Sequence, residues 1–207
     1  MQTPNEYEIQ WWKQGLNNIV GLDEAGRGPI AGPLVVGAVM FPPNYKSEEI
    51  YDSKKLTEKK RKALFKLIIK EASEFHIKII SPKEIDELNI YRATQKAMED
   101  LTMEFKSCDG VLSDAMPLPS ITHVPVIPIV KGDQLSVSIA AASILAKVTR
   151  DCIMCAYDVL YPDYGFSRHK GYPTKAHIEA MHKYGPLPFY RYSYRPVAEM
   201  SQIQLEL

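Results

Sequence analysis

The sequence predicts an α/β fold, and three observations support it. Short apolar runs, several of which end on acidic residues, alternate with longer segments of helical periodicity, as is typical of a sheet covered by helices. The chain has 207 residues, of which 45% are hydrophobic and 24% are charged. This length and composition fit one globular domain with a substantial core. We therefore expect a single domain over residues 1–207.

The predicted strands are short and rich in Val, Ile, Leu and Ala. They cover residues 19–23, 34–41, 75–80, 110–114 and 124–130. The last run contains two prolines, which cannot donate hydrogen bonds to a neighbouring strand. We therefore place it at an edge of the sheet.

The predicted helices are recognised by their periodicity and their caps. They cover residues 57–72, a segment that starts at 81, and residues 93–105, 137–160 and 175–183. Ser81 and Glu84 form a capping-box pattern with proline at the first helical position, which indicates a helix start. Three alanines at 140–142 allow the longest helix to pack closely against a neighbour.

The N-terminus is polar and lacks the basic-then-apolar pattern of a signal peptide. The longest apolar runs, 34–41 and 139–146, are too short to cross a bilayer. We therefore expect a cytoplasmic protein with no membrane partner.

Three cysteines are an odd number for a disulfide framework. Cys152 and Cys155 form a Cys-x-x-Cys pair, but the pair lies inside a predicted helix, and no second pair accompanies it. We favour buried structural thiols over a redox or zinc role.

Net charge is zero, but residues 165–195, the basic aromatic segment, contain six Lys or Arg against one acid, together with seven aromatics. Such a mixture can neutralise phosphates and stack on sugars or bases. A Tyr-rich loop packed on the body, with its charges in solvent, explains the composition equally well. Composition leaves both interpretations open.

Four acidic residues lie where predicted strands end. Asp23 and Glu24 end the first strand, Asp114 ends a later one, and Asp133 follows another just before a helix. Strand ends carry the functional sites of open α/β sheets, and a carboxylate cluster suits Mg²⁺. Each acid alone is more often a turn former or a helix cap than a metal ligand, and Asp133 in particular could cap the helix after it. Spacing alone does not decide between these interpretations.

A glycine-rich turn follows the first acidic pair directly. Gly26, Arg27 and Gly28 precede a proline, and the two glycines allow the backbone to approach a ligand closely. Arg27 can contact phosphate or ribose, and backbone groups can reach the 2′-hydroxyl that separates RNA from DNA. The turn lacks the spacing of a phosphate-binding loop or a dinucleotide fingerprint. In isolation it is most often only a turn.

Five blocks of the sequence carry a family resemblance. They are DEAGRGPIAGP at 23–33, DSKKL at 52–56, KGD at 131–133, SIAAASILAKVTRD at 138–151 and HKGYPT at 169–174. In order and spacing they resemble the type 2 ribonuclease H family, and bacterial ribonuclease HII in particular. The resemblance covers roughly residues 19–197. It implies a ribonuclease H-like fold with a central mixed sheet flanked by helices and a small C-terminal helical segment, about 165–207, that binds substrate.

The resemblance also assigns roles to individual residues. It implies that Asp23, Glu24, Asp114 and Asp133 are catalytic acids that bind metal. Gly26, Arg27 and Gly28 would contact the ribose at an RNA-to-DNA junction, and Tyr172 would pack on the deoxyribose beyond it. Lys54 would lie near substrate phosphates. Ser143 and Lys147 share a helix face, and DNA contact and helix packing are equal alternatives for them.

The implied reaction is hydrolysis of the phosphodiester 5′ of a ribonucleotide, leaving 3′-hydroxyl and 5′-phosphate ends, with two Mg²⁺ or Mn²⁺ ions in the substrate complex. The implied substrates are RNA–DNA hybrids and DNA with single embedded ribonucleotides, and we expect a monomer. Two alternatives are another two-metal nuclease, which would lack the glycine-rich turn, and a non-catalytic hybrid-binding module, which would lack an acid.

The sequence departs from the family at one position. The family usually has glycine after the third acid, whereas Ala115 follows Asp114 here. Asp109 is the alternative third acid, but it would begin the strand rather than end it. The C-terminal residues 202–207 carry no clear sliding-clamp motif.

Overall fold

The computed structural model describes the backbone of residues 5–205 and the side chains of residues 5–200. Residues 1–4, which belong to the N-terminus predicted to lack a signal peptide, lie outside the described residues. The side chains of the C-terminal residues 202–207 lie outside them as well. Two compact units are interleaved along the chain. Unit 1 comprises Met1–Ala25, Val35–Lys78 and Thr94–Val148, and unit 2 comprises Gly26–Leu34, Ile79–Ala93 and Thr149–Leu207. A single catalytic domain stays a prediction.

One mixed sheet of five strands organises the fold, as the family resemblance implies. The strands are β1 (Ile19–Ala25), β2 (Leu34–Met40), β3 (Glu74–Ile80), β4 (Gly110–Asp114) and β5 (Val126–Ile129), in the order β3-β2-β1-β4-β5. β1 runs antiparallel to β2 and parallel to β4, and β4 runs parallel to β5. The predicted edge position of the proline-containing strand is confirmed.

Helices account for most of the remaining described chain. They are α1 (Glu6–Lys13), α2 (Glu58–Glu71), α3 (Pro82–Leu88), α4 (Ile90–Glu104), α5 (Val137–Leu160), α6 (Phe166–His169), α7 (Lys175–Tyr184) and α8 (Arg195–Leu205). The predicted capping box is present at the start of α3, where Ser81 Oγ accepts from the Glu84 N–H. Within the residues that the structure describes, no helix is long and apolar enough to cross a membrane.

Small residues allow α5 to lie directly on the sheet of unit 1. The alanines at 140–142 are fully buried. A Cβ at Gly21 would overlap the backbone of Ser138, and a Cβ at Gly37 would overlap the carbonyl oxygen of Ala142. A larger residue on either strand would therefore push the helix away from the sheet.

The structure divides the basic aromatic segment into a buried group and an exposed group. Phe166, Tyr190 and Arg191 are buried in unit 2, whereas Tyr172, Tyr184 and Tyr192 are exposed. The prediction that Arg191 is one of the basic residues that can neutralise phosphate is therefore wrong, because its guanidinium donates to backbone carbonyls. The packed-loop interpretation applies to the buried group only.

The prediction of buried thiols on α5 is also wrong. Cys152 is exposed and Cys155 is half-buried. Apolar positions of α5 such as Met154 are the ones that pack into the core of unit 2, and the cysteines lie off that face.

Candidate functional site

Two of the predicted acids lie at matching positions of neighbouring strands in unit 1. Asp23 is near the end of β1, with Glu24 next to it, and Asp114 is the last residue of β4. The parallel register pairs Leu22 with Ser113. Asp23 and Asp114 therefore follow at the same end of the sheet, where the sites of α/β sheets lie.

The loop after β5 adds Asp133 to this end. Asp114 pairs with Ile129 of β5, and the chain then turns so that the Gly132 N–H donates to Asp114 Oδ1 at 2.8 Å. Asp133 follows in the 3-10 turn Gly132–Gln134 and is only 2% exposed. The structure thus brings together acids that are 110 positions apart in the sequence.

Asp23 occupies a position that opposes an isolated negative charge. Burial raises the pKa of the Asp23 carboxyl well above its usual range, and the charges of Glu24 and Asp114 raise it further. A hydrogen bond from Ser143, and one from the Glu24 N–H at 2.6 Å, oppose this shift without cancelling it. The surroundings of Asp23 therefore favour a proton or a bound cation.

Asp133 experiences a similar environment, moderated by Lys54. Burial raises the pKa of Asp133, Lys54 lowers it, and Asp52 and Asp114 raise it again. Lys54 Nζ lies 3.4 Å from Asp133 Oδ2, but the Lys54 side chain is 78% exposed. Solvent therefore weakens this ion pair, and the pKa of Asp133 stays raised, chiefly because the carboxyl is buried.

Asp114, rather than Asp109, belongs to this group of acids. Asp109 Oδ2 accepts from the backbone N–H groups of Asn17 and Asn18 at 2.9 and 2.8 Å, before β4 begins. Ala115 has a φ of +54°, in the left-handed region that glycine enters without steric cost. This conformation gives a physical reason for the family's usual glycine, and Ala115 carries strain in its place.

Asp133 does not cap the helix that follows it. The Ile139 N–H of α5 donates to Ser136 Oγ at 3.2 Å. The Ser136 hydroxyl donates to Glu8 Oε1 at 2.5 Å, and the Ser138 N–H donates to the same oxygen at 3.1 Å. Glu8 is fully buried, which raises its pKa. This carboxyl therefore ties α1 to the start of α5, beside the Asp133 turn.

Ser143 and Lys147 are one turn apart on α5 but have different surroundings. Ser143 is 5% exposed, its Oγ lies 2.9 Å from Ser53 Oγ, and its hydroxyl bonds to Asp23. Lys147 is half-buried. These contacts favour the packing alternative for Ser143.

In unit 2 the structure brings the glycine-rich turn and Tyr172 together. The turn at 26–33 is joined to the tyrosine segment by the Ile30 N–H, which donates to the Gly171 carbonyl at 2.9 Å. A Cβ at Gly28 would lie 3.4 Å from Tyr172 Cε1, so the ring lies against this glycine. Gly28 and Tyr172 are both exposed and together form one surface.

A buried histidine holds the backbone of Tyr172. His177 Nδ1 is 2.8 Å from the Tyr172 carbonyl oxygen, and its Nε2 is 2.7 Å from the Tyr190 hydroxyl. A carbonyl only accepts, so Nδ1 carries the proton and Nε2 accepts from Tyr190. Burial lowers the pKa of His177 to about 4, so the ring is neutral at physiological pH.

The acids fit a hard divalent cation by their chemistry. All the donors are carboxylate oxygens, which Mg²⁺ and Mn²⁺ accept. Burial and mutual repulsion hold the pKa of Asp23 and of Asp133 high, as expected where a cation supplies the missing charge. In the described residues, no three carboxylate, imidazole or thiolate groups already form a metal-binding group. Binding an ion would therefore require these side chains to adjust.

The fold and the acids at its strand ends define a ribonuclease H-type endonuclease. The family model described as Ribonuclease HII matches residues 20–197. This chain belongs to the ribonuclease HII family, and ribonuclease H activity on RNA–DNA hybrids follows from that membership.

Individual relatives agree with this assignment. The chain is 51% identical to a ribonuclease HII of Caldanaerobacter subterraneus over 91% of this chain and 78% of that protein. It is 50% identical to a ribonuclease HII of Clostridioides difficile over 94% of this chain and 76% of that protein. The ribonuclease H2 structure from Pyrococcus horikoshii is similar, with a TM-score of 0.76 and 25% identity over 92% of this chain and all of that one.

Several residues that support these surfaces carry no clear signal in the sequence. Glu8, His177 and Arg191 are polar side chains of types that usually lie in solvent or half-buried, yet all three are fully buried. Arg150 falls inside a family block, but the block does not indicate its burial. Only the contacts made by distant segments reveal these roles.

Proposed function

We propose that this ribonuclease cuts the RNA strand of hybrids and also cuts 5′ of single ribonucleotides embedded in duplex DNA, with two divalent ions. The observation that carries the proposal is the group of mutually repelling acids at the strand ends of unit 1. Asp23 and Asp133, both buried with a raised pKa, are its centre. A structural role explains such a costly arrangement poorly, because packing alone would favour neutral side chains.

The proposed metal ligands are Asp23, Glu24, Asp114 and Asp133. The bound ions would supply an activated water and positive charge at the leaving oxygen. The chain's own contribution is to hold the four carboxylates at one sheet end and to keep them partly dehydrated. Lys54, beside Asp133, would meet a substrate phosphate.

We assign sugar recognition to the surface of unit 2. Gly26, Arg27 and Gly28 would identify the 2′-hydroxyl, and the exposed ring of Tyr172 would pack on the adjoining deoxyribose. The exposed aromatic and basic groups of the basic aromatic segment would follow the DNA backbone. For Ser143 we favour support of Asp23, and for Lys147 DNA contact and packing stay equal. A monomer in the cytoplasm remains our prediction.

Cleavage of a duplex that contains one ribonucleotide tests this proposal. End-labelled DNA with a single ribonucleotide, an all-DNA duplex of the same sequence and an RNA–DNA hybrid are each incubated with Mg²⁺, Mn²⁺ or chelator. We expect a cut on the 5′ side of the ribonucleotide, with 3′-hydroxyl and 5′-phosphate ends, only when metal is present. Cleavage confined to the hybrid would contradict the single-ribonucleotide activity, and binding without any metal-dependent cleavage would favour the hybrid-binding module.

A further inference from the structure

Two fully buried arginines in unit 2 bond to the backbone of the 26–33 turn. The Arg191 guanidinium donates to the carbonyl oxygens of Gly26 at 2.6 Å, Arg27 at 3.1 Å and Gly32 at 3.0 Å. Arg150 donates to the carbonyl oxygens of Ala31, Pro33 and Lys170 at 3.1, 2.9 and 2.8 Å. The arginine pair, Arg150 and Arg191, thus bonds to five carbonyls of the turn.

The arginine pair is packed without spare room. A Cβ at Gly26 would overlap the guanidinium of Arg150, and a Cβ at Gly32 would overlap the sulfur of Met154. The two charges also act on each other: burial and then the charge of Arg191 lower the pKa of Arg150 to about 10. Such buried charges persist only where their donors are satisfied, and here carbonyl oxygens satisfy them.

Tyr194 adds a second hydrogen bond to the Arg27 carbonyl of the turn. Its hydroxyl donates to the Arg27 carbonyl at 2.7 Å and accepts from Arg191 Nη1 at 3.0 Å. The Arg191 guanidinium also lies 5.1 Å from the centre of the Tyr194 ring. Two side chains from the same C-terminal segment therefore hold one carbonyl.

Fixing these carbonyls also fixes the direction of the amides that follow them. In a trans peptide the C=O and the next N–H point in opposite directions. With the Gly26 and Arg27 carbonyls directed at Arg191, the N–H groups of Arg27 and Gly28 point away from it. Arg27 and Gly28 are both exposed, so a ligand can reach this part of the turn.

We propose that Arg150 and Arg191 are positioning residues that orient the 26–33 turn so that its backbone donors discriminate a ribonucleotide from a deoxyribonucleotide. They act through the turn and do not touch the substrate. This role rests on the proposed function, in which the turn reads the 2′-hydroxyl. It predicts that loosening the arginine pair weakens the preference for ribose more than it weakens binding to duplex in general.

Arg191→Lys is the main test, because lysine keeps the charge but cannot form the planar set of hydrogen bonds. Tyr194→Phe is a milder second variant that removes one hydroxyl from the same carbonyl. Arg92→Lys, at an exposed position of unit 2, is the matched control. Fluorescence anisotropy in chelator measures Kd for a duplex with one ribonucleotide and for the all-DNA duplex of the same sequence.

The preference for ribose is the Kd for all-DNA duplex divided by the Kd for the duplex with one ribonucleotide. We expect Arg191→Lys to reduce this ratio by about tenfold or more, with little change in the Kd for all-DNA duplex. Tyr194→Phe should reduce the ratio by about twofold to fivefold, and Arg92→Lys should leave it unchanged. A preference equal to the parent's in folded Arg191→Lys would overturn the proposal. If Arg191→Lys does not fold, an unchanged preference in Tyr194→Phe would do the same.

Amide NMR spectra separate this role from the proposed function. Arg191→Lys should shift the resonances of Gly26, Gly28 and Gly32, whereas Arg92→Lys should not. If the parent protein neither cuts nor prefers the ribonucleotide, the proposed function fails while these shifts still report the support of the turn. Unchanged resonances in Arg191→Lys would overturn the positioning role itself.

Discussion

Unit 1 buries acidic side chains beside one another, whereas unit 2 buries guanidinium groups among carbonyl oxygens. Asp23 keeps a raised pKa because neighbouring acids add to the cost of its burial. Arg191 is just as deeply buried, but its hydrogen bonds to the turn at 26–33 offset that cost. The acids of unit 1 therefore still favour a bound cation, whereas the hydrogen bonds of Arg191 in unit 2 already offset the cost of its burial.

The difference suggests a division of labour. A buried charged group that binds a ligand works best when the protein leaves part of its burial cost in free energy unbalanced, because the bound ligand then removes that cost. A buried charged group that holds a backbone in one orientation works best when all its donors are hydrogen-bonded, because each hydrogen bond restricts movement. The following predictions change one side of this contrast at a time.

The largest effect should come from Asp23→Asn. Removing one proposed metal ligand should lower cleavage on the order of a thousandfold, while duplex binding stays close to the parent's. The metal-free variant should also melt at a higher temperature near neutral pH, because the amide removes repulsion with Glu24 and Asp114. Cleavage assays and thermal melts check this, with Asp163→Asn at an exposed position as the control. Full activity in Asp23→Asn would contradict the metal-site assignment.

Tyr172→Ala should weaken the surface of unit 2 to which we assign sugar recognition, without changing the acids. Loss of an aromatic stacking partner should lower kcat/KM for a single embedded ribonucleotide about tenfold to a hundredfold. Tyr91→Ala is the matched control, since both tyrosines are 44% exposed. An equal loss of kcat/KM in Tyr172→Ala and Tyr91→Ala would contradict the proposed role of Tyr172.

Acid should destabilise unit 2 through His177. Its folded-state pKa of about 4 lies below the ordinary 6.5, so the unfolded chain takes up a proton that the folded one refuses. This contribution to stability is present above pH 6.5 and is lost as the pH falls towards 4. Urea denaturation should show a decline of at most about 1.4 kcal/mol per pH unit from this group. His177→Gln should flatten the decline, and an unchanged slope would contradict the neutral ring.

Glu8 should give the opposite pH dependence in unit 1. Burial raises its pKa above the ordinary 4.5, so the folded state retains a proton that the unfolded chain releases. This contribution is fully present below pH 4.5 and is lost as the pH rises through the raised folded value. Glu8→Gln stays neutral and can still accept from Ser136 and Ser138, so it should remove this part of the pH dependence. Denaturation at several pH values measures the two slopes, and parallel curves would refute the prediction.

The smallest effect should come from Ala115→Gly. Glycine relieves the left-handed strain at φ +54°, but it also increases the entropy of the unfolded chain. The net gain in the free energy of unfolding should be about 0.5–1 kcal/mol. Ala72→Gly, at φ −66°, relieves no strain and should destabilise instead. If both variants shift stability in the same direction, strain at Ala115 is not the cause.

Local chemistry made much of the fold predictable. The capping box at Ser81 and the proline in β5, Pro128, act on the backbone nearby, so the helix start and the edge position follow from the sequence. The predicted boundaries differ by a few residues, since α4 begins at Ile90 rather than at 93. The predicted burial of the α5 cysteines is wrong because a helical pattern does not by itself show which face of the helix meets a neighbour.

The sequence by itself determined the order of the strands and of the helices α2 to α5 and α7, the acids at strand ends and the glycine-rich turn. Only the tertiary structure decided which charges are buried and what surrounds them. Glu8 and Ser136 are bonded across 128 positions, and Arg191 and Gly26 across 165. Burial and electrostatic fields depend on such long-range contacts, which no local pattern encodes. The raised pKa of Asp23 and the oriented carbonyls of the turn therefore become visible only in the folded chain.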